Sequence, residues 1–148
     1  MRVVLQVVKE ASVTIDGKEY SSINDGFLLL VGFTNNDNLD VIKKVINKIV
    51  SLRIFPDENG KTNLGFDFDK QEILCVSQFT LYADISHGRR PSFVSCLNPI
   101  SAKELYEQTI SYLKEIGVNV KEGVFQADMK VKLINDGPFT LMIDSEDL

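Results

Sequence analysis

Histidine is nearly absent from this sequence: His87 is the only one, and cysteine occurs twice, as Cys75 and Cys96. A single histidine rules out a His-rich metal centre, and two cysteines are too few for zinc spacing or a disulfide framework. Both thiols read as buried groups in a reducing cytoplasm. No apolar run reaches the 18 or so residues that a membrane helix needs. Met1 to Lys9 alternates like a strand and lacks the charged and then continuously apolar layout of a secretory signal. Glycines fall at neither the phosphate-loop nor the dinucleotide spacing, so no nucleotide cofactor is expected. Basic residues are also in deficit, with 16 Lys and Arg against 21 Asp and Glu, a net charge of −5. That excludes broad, charge-driven binding to nucleic acid, but it leaves room for a local basic patch that meets one RNA end.

What is present fits one globular domain over residues 1–148, with 44% hydrophobic and 25% charged residues. Val3, Leu5 and Val7 begin a strand, and Ser12–Ile15 reads as a second. Asp16-Gly17 is a hairpin turn, Lys18–Ile23 returns, and Asn24-Asp25-Gly26 turns again. Phe27–Phe33 is almost wholly apolar, as expected of a central strand covered on both faces. Leu39, Ile42, Val45, Ile46, Ile49 and Leu52 recur at helical spacing. Arg53–Phe55 suggests a short strand, the Pro56–Gly60 cluster a turn, and Asn63–Asp69 a loop or edge strand. Ile73–Val76 is a buried strand. Ser101 with Glu104 reads as a capping box that opens a second helix, which ends near Gly117. Val118–Val120, Met129–Leu133 and Phe139–Ile143 read as three closing strands, the last two separated by Asn135-Asp136-Gly137-Pro138. The expected fold is α+β, a mostly antiparallel sheet with two main helices.

Two stretches depart from packing logic. Ser77, Gln78 and Thr80 crowd the end of the Ile73 strand, and buried polar groups are costly unless hydrogen-bonded. They fit either a rigid site or a strand end whose hydroxyls bond neighbouring backbone. Gly137-Pro138 is the second, because an X-Pro bond adopts the cis form at small cost; the simpler reading is an ordinary turn. Arg89 and Arg90 match phosphate oxygens or else belong to a solvated loop. His87 in the same loop is a weak candidate for a general base.

Ser77-Gln78-Phe79-Thr80-Leu81 followed by Asn135-Asp136-Gly137-Pro138 resembles the D-aminoacyl-tRNA deacylases, also called D-tyrosyl-tRNA deacylases. The likeness spans the whole chain. It includes Met1–Gln6, Arg53–Asp57, Gly60–Asn63, Arg90–Phe93 and Ala127–Met129. The resemblance implies a cytoplasmic homodimer with its active site at the subunit interface and no cofactor or metal. It would hydrolyse the ester between a D-amino acid and the 3′-terminal adenosine of tRNA, and glycyl-tRNA as a side substrate. Carried over residue by residue, Ser77, Gln78, Phe79 and Thr80 form the catalytic group. Gly137 and Pro138, joined by a cis peptide, reach from the other subunit, and with Met129 and Phe93 they meet the substrate. Arg89, Arg90 and Lys130, with Lys132 beside them, are candidates for tRNA phosphates. Two mechanisms follow: Thr80 acts as nucleophile or positions water, or the RNA 2′-hydroxyl helps activate the water while protein donors hold the oxyanion. The second needs no histidine and is preferred.

Three residues depart from the family pattern. Val7 stands where Arg is usual, Gln126 where Gly is usual, and Phe139 where Val is usual. The lost Arg helps to fix the Gly-Pro loop in the family, so the expectation is chiral selection that survives in relaxed form. Two competing readings are a non-catalytic tRNA-binding dimer and a related deacylase with relaxed chirality.

Overall fold

The computed structural model describes residues 1–148. Its spine is β1, Arg2–Ile15, a single 14-residue strand where two had been expected. It is followed by β2 (Lys18–Ile23), β3 (Gly26–Gly32), α1 (Leu39–Ser51), β4 (Phe55–Pro56), β5 (Thr62–Leu64) and β6 (Glu72–Ser77). A 3-10 turn at Phe79–Tyr82, α2 (Pro99–Glu115), β7 (Asn119–Glu122), β8 (Lys130–Asp144) and a last 3-10 turn complete the chain. Asp16 and Gly17 both carry positive φ, 50° and 76°, as a two-residue hairpin requires.

The main sheet runs β2-β1-β3-β6-β7, with β8 on the free side of β1. Pairing along β1 is antiparallel throughout, with β3 over Arg2–Val8, β2 over Ala11–Ile15 and β8 along its length. The β3–β6 and β6–β7 pairs are parallel. The sheet is therefore mixed rather than uniformly antiparallel. The helices are the cause: α1 lies between β3 and β6 in the chain and α2 between β6 and β7, and a helical crossover returns the next strand parallel. β4 and β5 form a separate small hairpin, so the expected strand at Arg53–Phe55 is displaced to Phe55–Pro56.

Two apolar clusters lie on opposite faces of β3 and β6. Val3, Leu5 and Val7 join Phe27, Leu29, Ile73 and the buried stripes of α1 and α2. Val8, Ala11 and Val13 join Leu28, Leu74 and Val76 under the first half of β8. The buried parity along β1 changes between Val8 and Ala11, where its register with β8 slips. A one-residue slip moves every later side chain to the other face, so half of β1 serves each core. Asn38 caps α1, its Oδ1 accepting from the Asp40 and Val41 N–H groups at 2.9 and 3.1 Å. Ile42, Val45, Ile46 and Ile49 are wholly buried, each worth roughly 1.5–3 kcal/mol of transfer free energy.

Two further expectations are corrected. The cap of α2 is Asn98, not the Ser101–Glu104 box: its Oδ1 accepts from the Ser101 N–H at 3.1 Å, and Pro99 opens the helix. Pro at the first helical position forgoes an N–H that would have had no partner there, so the helix starts at Pro99. Asn135–Pro138 does not separate two strands. β8 runs through it as one strand carrying a bulge.

Candidate active site

The site begins where β6 ends. The Gln78 N–H donates to the Val31 carbonyl at 2.7 Å, extending the parallel ladder one residue past Ser77. The backbone then tightens into the 3-10 turn. Gly32 lies directly beneath it: a Cβ there would stand 2.8 Å from the Gln78 carbonyl oxygen. Only a glycine on β3 lets the two backbones come this close.

The turn is braced from several sides. Arg2 donates through Nε to Asp144 at 2.7 Å and through Nη1 to the Leu81 carbonyl at 3.1 Å, with its guanidinium 4.5 Å from the centre of the Tyr82 ring. Burial pulls against ionisation of Asp144, but the Arg2 hydrogen bond and the nearby charges hold its carboxyl below the usual carboxylate range. On the other side, the Cys96 thiol donates to the Phe79 carbonyl at 3.3 Å and the Leu97 N–H to the Phe33 carbonyl at 3.0 Å. Phe79 and Phe93 meet edge to face with centroids 5.1 Å apart, both partly exposed.

Beside the turn opens a cavity of about 760 Å³. Ser77, Gln78 and Phe79 form one wall, Phe93, Cys96 and the start of α2 a second, and Phe125–Met129 with Val131 a third. The volume suits a small-molecule fragment. Behind the lining residues, the buried Tyr106 hydroxyl of α2 donates to the Cys75 carbonyl of β6 at 2.8 Å. Burial pushes the Tyr106 phenol and the Cys75 thiol up, so both stay neutral.

The walls hold little acid–base machinery. Asp128 is the one carboxylate among them, and both its oxygens accept from Lys130 Nζ at 2.8 Å. Burial raises the Cys96 thiol, which keeps it protonated. Thr80 stands just beyond the cavity wall and accepts a hydrogen bond from Gln78 Nε2. His87 sits on the exposed loop, bonded to Ser86 Oγ at 2.7 Å, and does not line the cavity.

The structure thus gathers Ser77, Gln78, Phe79, Phe93 and Met129, with Thr80 adjacent. Arg89 and Arg90 lie exposed on the loop after the turn. Lys130 does not line the cavity but is ion-paired with its wall residue Asp128, and Lys132 pairs with Glu10 at 3.1 Å. Gly137 and Pro138, joined by a cis peptide, do not line the cavity of their own chain. Along β8, Pro138 lies seven residues beyond the wall residue Val131 and past the register slip of the strand.

Sequence reasoning missed Cys96, Asn98, Ala102 and Phe125 as lining residues. Asn98-Pro99 was the available signal, because Asn-Pro favours a turn at a helix start. Gln126 was visible as a departure, and its φ of +65° explains why a glycine suits that position. Val7 is buried in the helix-side core, and Phe139 packs against that same cluster.

A family model described as D-Tyr-tRNA(Tyr) deacylase matches residues 4–144. The chain belongs to that family. A D-aminoacyl-tRNA deacylase of Lactobacillus acidophilus is 54% identical over 97% of this chain and 99% of the relative. One from Myxococcus xanthus is 47% identical over 98% of this chain and 95% of its own. A solved structure titled "c-Myc DNA Unwinding Element Binding Protein" superposes with a TM-score of 0.91 at 35% identity, covering 97% of this chain and 98% of that one. A second, of a probable eukaryotic D-amino acid tRNA deacylase, has a TM-score of 0.82 at 16% identity and bears on the fold alone. As a D-aminoacyl-tRNA deacylase the chain is a hydrolase, and aminoacyl-tRNA is its substrate. No helix is long and apolar enough to cross a membrane.

Proposed function

We propose that the protein works in the cytoplasm as a homodimer that frees tRNA from D-amino acids. In this reading, the cavity of one subunit receives the aminoacyl ester and Gly137-Pro138 of the other subunit screens its chirality. The observation that carries the reading is the separation within one chain. The cavity has Ser77, Gln78 and Phe79 on its wall, whereas Gly137 and Pro138 are exposed and take no part in lining it. A second copy supplies what the first lacks.

In such a site the backbone carbonyls of Gly137 and Pro138 face the substrate α-carbon. A D-residue turns its side chain away from them, and an L-residue is driven into them, so selection works by repulsion of the wrong enantiomer. Because backbone does the reading, side-chain identity matters little, and glycine, with nothing to reject, is also accepted. Phe79 and Phe93 at the mouth offer faces for the terminal adenosine, and Arg89 and Arg90 offer charge for phosphate.

Cleavage follows from what the walls hold. The cavity has no histidine, and its one carboxylate is occupied by Lys130. Water activated by the terminal ribose 2′-hydroxyl attacks the ester carbonyl. The electron pair of the C=O bond moves onto oxygen, where Gln78 Nε2 and backbone N–H groups near Phe79 stabilise it. Collapse of that intermediate breaks the bond to the 3′-oxygen, which leaves with the proton given up by the attacking water and relayed through the 2′-hydroxyl.

The test is hydrolysis of D-tyrosyl-, L-tyrosyl- and glycyl-tRNA by the purified protein, side by side. Loss of the D and glycyl esters alone is expected. Equal loss of the L ester removes the chiral screen from the reading, and no hydrolysis of any ester favours a tRNA-binding dimer.

A further inference from the structure

The Gly137–Pro138 segment sits where the β1–β8 ladder is interrupted. Gln6 pairs with Thr140 and Val8 with Asn135, so Asp136, Gly137, Pro138 and Phe139 together stand opposite Val7 alone. A bulge of this size leaves ladder groups without strand partners, and something else has to hold its shape. Asn135 does so at the foot of the bulge. Its Nδ2 donates to the Val7 carbonyl on β1 at 2.8 Å and to the Phe139 carbonyl on the returning side at 3.1 Å. Thr140 Oγ1 donates in turn to Asn135 Oδ1 at 3.3 Å. One half-buried carboxamide thus ties both feet of the bulge to each other and to the neighbouring strand, while the tip remains exposed. Lys9 adds an outer brace, with Nζ 3.2 Å from Asp136 and 3.1 Å from Asp25 on the β2–β3 turn.

We propose that Asn135 is the positioning residue of the chiral screen, aiming the Gly137 and Pro138 carbonyls, with Lys9 as a secondary brace. The inference rests on the reading of Gly137–Pro138 given above. Asn135 touches no substrate and acts through the loop alone. Its loss therefore changes the ratio of D to L hydrolysis more than it changes the rate on the D ester.

The experiment compares kcat/KM on D- and L-tyrosyl-tRNA for the intact dimer and for Asn135→Ala, Asn135→Asp, Lys9→Met, Lys9→Arg and Gly137→Ala, with folding checked by circular dichroism. Asn135→Asp keeps the shape and the acceptor but has no donors, so it serves if the alanine variant fails to fold. The D/L ratio is expected to fall about tenfold or more in either Asn135 variant, mainly by gain on the L ester. Lys9→Met is expected to lower it about twofold and Lys9→Arg to restore it, in keeping with an exposed ion pair. A folded Asn135 variant with an unchanged ratio, while Gly137→Ala alters it, overturns the positioning role and leaves the screen standing. If Gly137→Ala also leaves the ratio unchanged, the screen itself is wrong and the positioning role falls with it.

Discussion

The end of β6 and the bulge of β8 are built in opposite ways. At the β6 end the backbone is clamped by neighbours on every side: Gly32 beneath it, Arg2 and Tyr82 on one flank, and Cys96 on the other. That rigidity surrounds a concavity. At the β8 bulge the backbone stands out from the sheet, exposed at Gly137 and Pro138 and held only by side chains at its feet. In the homodimer proposed above, the concave site of one copy and the projecting element of the other would complement each other. If chemistry belongs to the clamped turn and selection to the projecting bulge, as proposed, substitutions should separate rate from stereoselectivity.

The largest effect should come from the cavity wall. Gln78→Ala removes the proposed oxyanion donor and is expected to slow D-ester hydrolysis about 10²–10³-fold with the D/L ratio unchanged. Thr80→Ala, which removes only a hydroxyl beyond the wall, is expected to cost less than about tenfold; single-turnover hydrolysis checks both. A loss of many orders of magnitude at Thr80 would make it the nucleophile.

A smaller effect concerns the clamp on the turn. The Asp144 carboxyl is held below its ordinary value in the folded chain, so its contribution is present above about pH 4, the unfolded value, and is lost as pH falls through the folded one. Because Arg2 is partly exposed, the contribution is about 1 kcal/mol or less. Denaturant midpoints measured between pH 7 and pH 3 should fall less steeply in Asp144→Asn than in the parent chain.

The smallest effect lies on the third wall. Gln126 holds a φ of +65°, where a side chain costs roughly 1–2 kcal/mol. Gln126→Gly relieves this but frees the unfolded chain by roughly 0.4–1 kcal/mol. The net gain in stability should be about 0.5 kcal/mol, read as a small rise in melting temperature.

The sequence carried some of this architecture openly. Phe27–Phe33 and Ile73–Val76 are apolar on both faces because β3 and β6 lie between two clusters, and composition alone displays that. Asp16-Gly17, the α1 stripe and the φ of +88° at Gly117 follow from local chemistry. What stayed hidden was long-range. Asn-Asp-Gly-Pro has the composition of a turn, yet β1 lies alongside and pairs on both sides of it, so tertiary pairing carries one strand through. Ser101–Glu104 satisfies a capping-box pattern, but Asn98-Pro99 starts the helix earlier. The third cavity wall, Phe125–Met129, has no periodicity because it belongs to no regular element: Met129 packs over Gly123, and the Phe125 ring lies 5.9 Å from that of Tyr106 on α2. For the site, the Ser77–Thr80 cluster was legible as polar groups out of place, whereas the placing of Gly137–Pro138 outside their own chain's cavity was legible only through the family resemblance.

The most direct test of the account is a mixed dimer of Gln78→Ala and Gly137→Ala subunits, isolated with two tags and assayed on D- and L-tyrosyl-tRNA. If the screen acts across the interface, the sound cavity of the Gly137→Ala subunit faces the sound bulge of its partner. The mixed dimer should then hydrolyse the D ester selectively at about half the parent rate, whereas the Gly137→Ala homodimer hydrolyses both esters. A mixed dimer as unselective as the Gly137→Ala homodimer would mean that each chain screens its own cavity, and the account would be wrong.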